Sequence, residues 1–306
     1  MKKVGMILEG GGQRGIFTSG VLDYFMEKKL KVPYVLGVSA GACNAVDYVS
    51  GQILRTKECM LDAQMDYELY GFHTMMKTKH FMNMDLIFDD FPNRQYPFDY
   101  EAFAKSPMRC VLEATNCITG RPAYIEEYKD RQRLMDACRA SSSLPFAASP
   151  VMVDGIPMMD GGISDSVPIR KAIREGYDSN IVILTRPRGY RKKEKPDKTI
   201  KLAKMYYRKY PGLSKALLNR NYVYNRTMEL LEHLEERGRV FLICPSAPTV
   251  KRTEKDLEKL EDFYWHGYEE AKRLYPSLKE WLKQQEECIS KKRYYIRRSQ
   301  GAGRNL

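Results

Sequence analysis

Histidine is scarce in this chain: four residues, at 73, 80, 233 and 266, among 306. That leaves little material for a histidine-dependent triad or a histidine-rich metal site. The seven cysteines, at 43, 59, 110, 117, 138, 244 and 288, are odd in number and include no C-x-x-C pair. Their spacing speaks against a disulfide framework, a zinc site or a dithiol redox motif. Most read as small buried hydrophobes. No segment resembles a membrane span, and there is no internal repeat or long low-complexity linker. The N-terminus MKKVGMILEGGG has a basic start, but its apolar stretch ends at Glu9 and lacks a small-residue cleavage site. The expected location is therefore cytoplasmic.

What is present is ordinary globular material, 43% hydrophobic and 29% charged with 21 Gly and 15 Pro. The length suits one large α/β domain or two small ones. The net charge of +12 is unevenly spread. Between Arg186 and Arg226 there are 14 Lys or Arg against Glu194 and Asp197, and from Lys291 to Leu306 six against no acid. The rest of the chain is mildly acidic, so an anionic partner would be met at these two segments.

Hydrophobic patterning alternates between strand and helix. VGMIL reads as a strand, followed by a glycine loop and a helix with Ile16, Val21, Leu22, Phe25 and Met26 on one face. YVLGV is a second strand that runs into the helical SAGACNAVDYV. Residues 51–107 are less regular and Met-rich, which reads first as packing surface, with an apolar acyl groove as the alternative. MRCVLEATN is a further strand, RLMDACRASSS a helix, and VMVDGIPMM a hairpin turning at Asp-Gly. NIVILT and VFLICP complete the strands, and helical patterns fill most of 198–237 and 253–286. The expected fold is a three-layer α/β/α sandwich around a mostly parallel sheet, with a basic, helical C-terminal region. The expected division is a core over residues 1–185, with a strand from 239–246, and a C-terminal region over 186–306.

Ligands of such sheets sit beyond the carboxyl ends of the strands. EGGGQRG, residues 9–15, falls there, and Gly10, Gly12 and Gly15 match the G-x-G-x-x-G spacing of a pyrophosphate loop. A dinucleotide site also needs an acid about 20 residues further on. The chain there reads VPYVLGVSAG, with no Asp or Glu, and no Lys-Ser or Lys-Thr pair closes a P-loop.

GVSAG, residues 37–41, matches G-x-S-x-G at a strand-to-helix turn. Gly37 and Gly41 leave room for the strained turn of a nucleophile elbow, which makes Ser39 a candidate nucleophile; the bland alternative is a helix N-cap. A serine needs a base. His233 and His266 lie inside helical patterns, and His73 and His80 flank the Met-rich stretch. The better candidate is Asp160 in MMDGG, where Gly161 and Gly162 let the carboxylate approach another strand end; the alternative is a simple turn aspartate.

EGGGQRG, GVSAG, RASSSLPFAASP and DGGISDSVP, in this order and on these elements, resemble the patatin-like phospholipase family, bacterial type, over about residues 4–185. The resemblance implies a Ser-Asp dyad, Ser39 as nucleophile and Asp160 as general base. It also implies an oxyanion hole in the loop carrying Gly10, Gly11, Gly12, Arg14 and Gly15. Where the family usually has Asp before the three glycines, this chain has Glu9.

The expected activity is hydrolysis of lipid carboxylic esters, as by a phospholipase or lysophospholipase, without cofactor or metal. One alternative is a Ser-His-Asp esterase acting on non-lipid esters. Another is a basic membrane- or nucleic-acid-binding protein built on a vestigial hydrolase core. The basic segments mix Lys and Arg with tyrosine, as lipid-surface and nucleic-acid binders both do. Beside a lipase-like core, the favoured partner is an anionic membrane, met peripherally through 186–226 and 291–306; nucleic acid is disfavoured.

Overall fold

The computed structural model describes residues 4–67, 69, 71, 74–76, 82–193 and 197–301, the side chains at 66, 197–201 and 288–301 excepted. His73, His80, Cys288 and the side chains of the basic tail 291–306 lie outside the described residues. Eight strands form one sheet: β1 Val4–Leu8, β2 Tyr34–Val38, β3 Arg109–Asn116, β4 Pro122–Ile125, β5 Val151–Val153, β6 Ile156–Asp160, β7 Ser179–Ile183 and β8 Val240–Ile243. The spatial order is β5-β6-β3-β2-β1-β7-β8, with β4 also paired to β3. Strands β3, β2, β1, β7 and β8 are parallel, whereas β4 and β6 run antiparallel to β3 and β5 antiparallel to β6. The sheet is thus mixed. The β5–β6 hairpin turns through Asp154 (φ 52°) and Gly155 (φ 73°), the left-handed pair that an Asp-Gly hairpin turn uses. Strand β4 has no counterpart in the sequence reading, because it is short and opens on Pro122, a residue confined to strand starts and edges.

The helices are α1 Gly15–Glu27, α2 Ala40–Ser50, α3 Arg55–Met60, α4 Asp62–Asp66, α5 Tyr100–Lys105, α6 Arg131–Ser142, α7 Ile169–Arg174, α8 Asp197–Tyr206, α9 Pro211–Glu236 and α10 Leu257–Gly301, with a π-helix at Leu86–Gln95. Side chains alternate along the central strands, so each feeds both faces. Met6, Leu8, Val35, Ile181 and Ile183 join the core formed with α1, α2, α6 and α10. Ile7, Leu36, Val38 and Val182 join the opposite core, formed with α7 and α9. Helix α10 crosses α1 at glycines. A Cβ on Gly20 would lie 2.1 Å from the Tyr264 carbonyl oxygen, and one on Gly267 2.1 Å from that of Phe17. No helix among the described residues is long and apolar enough to cross a membrane.

The α1–α10 contact contains a titratable group. Asp23 of α1 is 3% exposed; its Oδ1 accepts from the Leu54 N–H at 3.1 Å and its Oδ2 from the Tyr264 hydroxyl at 2.9 Å. Burial pushes its pKa up to about 7, with Asp47 and Glu27 adding to the rise against those two hydrogen bonds. Burial likewise raises Asp165 to about 6. The native state therefore holds protons that the unfolded chain releases near pH 4. The stability this confers is complete below about pH 4 and lost as pH rises through 7. Urea midpoints measured at pH 5 and pH 8 should fall for the wild type and fall less for Asp23→Asn. An equal fall in both proteins would remove Asp23 as the cause.

Candidate active site

Strand register brings Ser39 and Asp160 together. On β3, Val38 of β2 lies opposite Glu113 and Asp160 of β6 opposite Ala114. Strand β4 pairs with Leu112–Thr115 and so occupies the other edge. Strands β2 and β6 therefore share one edge of β3, run toward each other and end at neighbouring positions. Ser39 leaves the sheet at one of these ends and Asp160 stands at the other.

Helix α6 clips both ends in place. The Ser39 N–H donates to Ser141 Oγ at 2.8 Å, and Ser141 Oγ donates to the Glu113 carbonyl at 2.6 Å. The Asp160 N–H donates to the Ser143 carbonyl at 2.9 Å, and Thr115 Oγ1 donates to the Asp160 carbonyl at 2.9 Å. The serines of RASSS thus hold the backbones of both candidate residues, a task that the sequence pattern did not reveal.

Ser39 has φ 56° and ψ −126° and makes no side-chain cap bond to α2. The N-cap alternative does not describe it. A non-glycine residue held in this sparsely populated region stores on the order of 1–3 kcal/mol. The flanking glycines make the turn possible by close approach. A Cβ on Gly37 would lie 2.2 Å from the Gly41 carbonyl oxygen, and one on Gly41 2.4 Å from that of Leu8. Asp160 is 1% exposed, and its Oδ2 has no hydrogen-bond partner among the described residues. A buried, unpartnered carboxylate oxygen requires an explanation; here it lines the same cavity as Ser39.

The glycine loop closes another side of that cavity. Glu9 Oε2 accepts from the Thr185 N–H at 2.7 Å and from its Oγ1 at 3.1 Å, tying the loop to the end of β7. This gives the Glu-for-Asp departure a structural role. A Cβ on Gly10 would lie 2.8 Å from Ser39 Cβ, so the loop backbone runs beside the serine. Gly11 and Gly12 also line the cavity, and their N–H groups donate to no protein acceptor among the described residues. Gly15 packs against Ala40, Gly161 against the Glu113 carbonyl, and the Gly162 carbonyl accepts from Arg220 Nε. Arg14 is 5% exposed and lines the cavity, with its buried Nε unpartnered among the described residues.

Two cavities meet at Ser39, and Gly12, Leu144 and Arg252 also line both. One is apolar, walled by Val46, Met60, Phe88, Phe91, Phe98 and Met135, so part of the irregular 51–107 segment faces a groove as well as packing. The other is cationic. Besides Arg14 it is lined by Arg186, Lys192, Lys193, Arg220 and Arg252, none of which the sequence had marked as site residues. The only hint was a charge run too poor in acids to neutralise itself.

Neither described histidine lines either cavity. His233 is exposed on α9 beside Glu236, and His266 Nε2 accepts from the Ser246 N–H at 3.1 Å while its ring packs on Phe17 and Phe263. Burial raises the Cys43 thiol to about 11 and that of Cys59 to about 12, so the two thiols in the apolar wall stay protonated. Among the described residues no group of three or more His, Cys, Asp or Glu is arranged to hold a metal.

Comparison with known proteins adds family relations. Residues 6–173 match the family described as patatin-like phospholipase, and residues 210–283 match a domain of unknown function (DUF6363). The chain is similar to the uncharacterized protein YjjU of Escherichia coli strain K12, with 31% identity over 190 residues, 60% of this chain and 52% of that one. It thus spans about half the length of that relative. Among solved structures it is similar to VipD from Legionella pneumophila, at a TM-score of 0.49 and 13% identity, over 89% of this chain and 66% of that one.

Proposed function

The chain belongs to the patatin-like phospholipase family, and on that premise we propose that it is a serine acyl hydrolase of lipid carboxylic esters, working through a Ser39–Asp160 dyad. The observation that carries this reading is the meeting of β2 and β6 along one edge of β3, which ends both strands at the candidate nucleophile and base. Support also comes from the buried, unpartnered Asp160 Oδ2 and from the strained Ser39 backbone.

In this mechanism Ser39 Oγ attacks the ester carbonyl carbon while its proton passes to the Asp160 carboxylate. The carbonyl oxygen becomes an oxyanion beside the free N–H groups of Gly11 and Gly12. Collapse of the tetrahedral intermediate breaks the ester C–O bond, and the departing alkoxide takes the proton from Asp160. Water then attacks the acyl-enzyme, Asp160 accepts its proton, and Ser39 Oγ recovers that proton as the fatty acid leaves. The apolar cavity beside Ser39 suits an acyl chain. Peripheral docking on an anionic membrane fits this substrate class; Arg188, Arg191 and Arg226 of the basic segment are, however, already paired with Glu235, Glu232 and Glu229.

The test is lipid analysis of a total lipid extract incubated with the wild type and with Ser39→Ala. Wild type alone should release free fatty acid and deplete the parent lipids. His233→Ala should match the wild type. Identical lipid profiles with and without Ser39 would end the proposal, and inactivity of the His233 variant would restore a histidine triad.

A further inference from the structure

Resting on the reading of Ser39 as a lipid acyl hydrolase, we infer that the cationic cavity is a head-group site for a phosphate monoester, making acidic glycerophospholipids of the phosphatidate type the preferred substrates. The apolar cavity would hold the acyl chain, with the scissile ester at Ser39 where the two cavities meet.

The first support is charge balance. Six cationic side chains line this cavity with two carboxylates, Glu9 and Asp160, and Glu9 is engaged by Thr185. Elsewhere several partly buried arginines are neutralised: Arg55 by Asp47, Arg109 by Glu126 and Glu175, Arg133 by Glu127 and Asp154, Arg139 by Asp85 and Asp89. None of the six cavity cations forms a salt bridge among the described residues. Their hydrogen-bond partners are neutral, and Glu9 and Asp160 act on Arg14, Lys192 and Arg220 only from beyond salt-bridge distance. Arg220 donates to the Gly162 carbonyl, Lys192 to Ser166 Oγ at 3.3 Å and Arg186 to Thr249 Oγ1 at 3.3 Å. Lys192 also sits over the Tyr224 ring at 3.8 Å and Arg186 over that of Tyr190 at 4.6 Å.

Arg14 is buried, Arg186, Lys192, Arg220 and Arg252 are half-buried and Lys193 is exposed; holding unpaired cations partly out of water is costly, and this group crowds like charges as well. Arg14 is depressed to about 10 by burial and by Arg186 and Arg252 nearby, and Lys192 is held well below the lysine range by burial and Arg220. A multiply charged anion would relieve both costs. The shape of the cluster favours phosphate over carboxylate. Its cations come from four places in the chain: the glycine loop, the segment after β7, helix α9 and the segment after β8. A planar carboxylate is satisfied by one bidentate fork, whereas a terminal phosphate presents three oxygens to donors on several sides.

The experiment uses dibutyryl glycerolipids, which dissolve as monomers, so that attraction to a charged surface plays no part. At equal acyl chains, kcat/KM for the phosphate monoester should exceed that for the phosphocholine lipid by about tenfold or more, the effect of one charge-assisted hydrogen bond. Arg220→Gln and Lys192→Gln should each collapse that ratio toward unity; two variants are used in case one does not fold. Equal kcat/KM for the two lipids in the wild type, or a ratio untouched in both folded variants, would overturn the inference. A second arm separates head group from free phosphate. Glycerol 3-phosphate should inhibit p-nitrophenyl butyrate hydrolysis competitively and at lower concentration than inorganic phosphate; equal inhibition would overturn the lipid assignment. If the wild type cleaves p-nitrophenyl butyrate in a Ser39-dependent way but shows no head-group preference, this inference alone fails. If it cleaves no ester, the hydrolase reading fails first.

Discussion

Ser39→Ala is expected to lower kcat for a short-chain p-nitrophenyl ester by at least about 10³-fold, and Asp160→Asn by a comparable factor, since members of a nucleophile–base pair act as a unit. The double variant should be little worse than either single one. Both substitutions nearly preserve volume, and Asn at 160 keeps the backbone contacts to Ser143 and Thr115. Losses should therefore appear in steady-state rates without loss of the cooperative unfolding transition. Replacing Ser39 by Gly should abolish activity yet raise stability above that of the Ala variant by about 1 kcal/mol, because glycine relieves the strain at φ 56°. Full activity in Asp160→Asn would remove that residue as the base.

A chain ended after Thr185 is expected not to fold cooperatively, although the residues bearing the four motifs would all be present. Helix α9 gives Tyr224, Met228, Leu231 and Leu234 to one core layer, and α10 gives Leu260, Phe263, Tyr264 and Leu278 to the other. At about 1.5–3 kcal/mol for each large buried side chain, their loss, about 12–24 kcal/mol in all, is comparable to or greater than the roughly 5–15 kcal/mol by which domains are stable. Removing β8 also strips β7 of its outer partner. In the full chain, Gly20→Val or Gly267→Val should cost about 3 kcal/mol by forcing α1 and α10 apart. A soluble 1–185 fragment with a sharp urea transition would show that the core stands alone.

The parts of the site that could be read directly from residues are those governed by local sterics. GVSAG announces itself because a tight strand-to-helix turn with a protruding side chain needs small neighbours two positions to either side. The glycine loop follows from the same requirement for bare backbone. Asp160 could be named from DGG and family resemblance, but its proximity to Ser39 depends on β6 running antiparallel onto the edge of β3 that β2 vacates. No spacing along the chain encodes that. Ser141 and Ser143 were equally silent, since a helix-terminal serine that holds a remote backbone has the same local pattern as one facing water.

The basic segment marks the boundary most clearly. The sequence by itself determined the strand–helix alternation, the elbow at Ser39 and an excess of positive charge after residue 185, all properties set by neighbours within a few residues. Only the tertiary structure decided where that charge points. It turns Arg186, Lys192, Lys193 and Arg220 toward the cavity beside Ser39, adds Arg252 from beyond β8, and pairs Arg188, Arg191 and Arg226 with glutamates of α9. The physical reason is that the direction of a long flexible side chain depends on which distant elements pack around it, and that packing is fixed by the sheet order and by the crossing of α1 with α10.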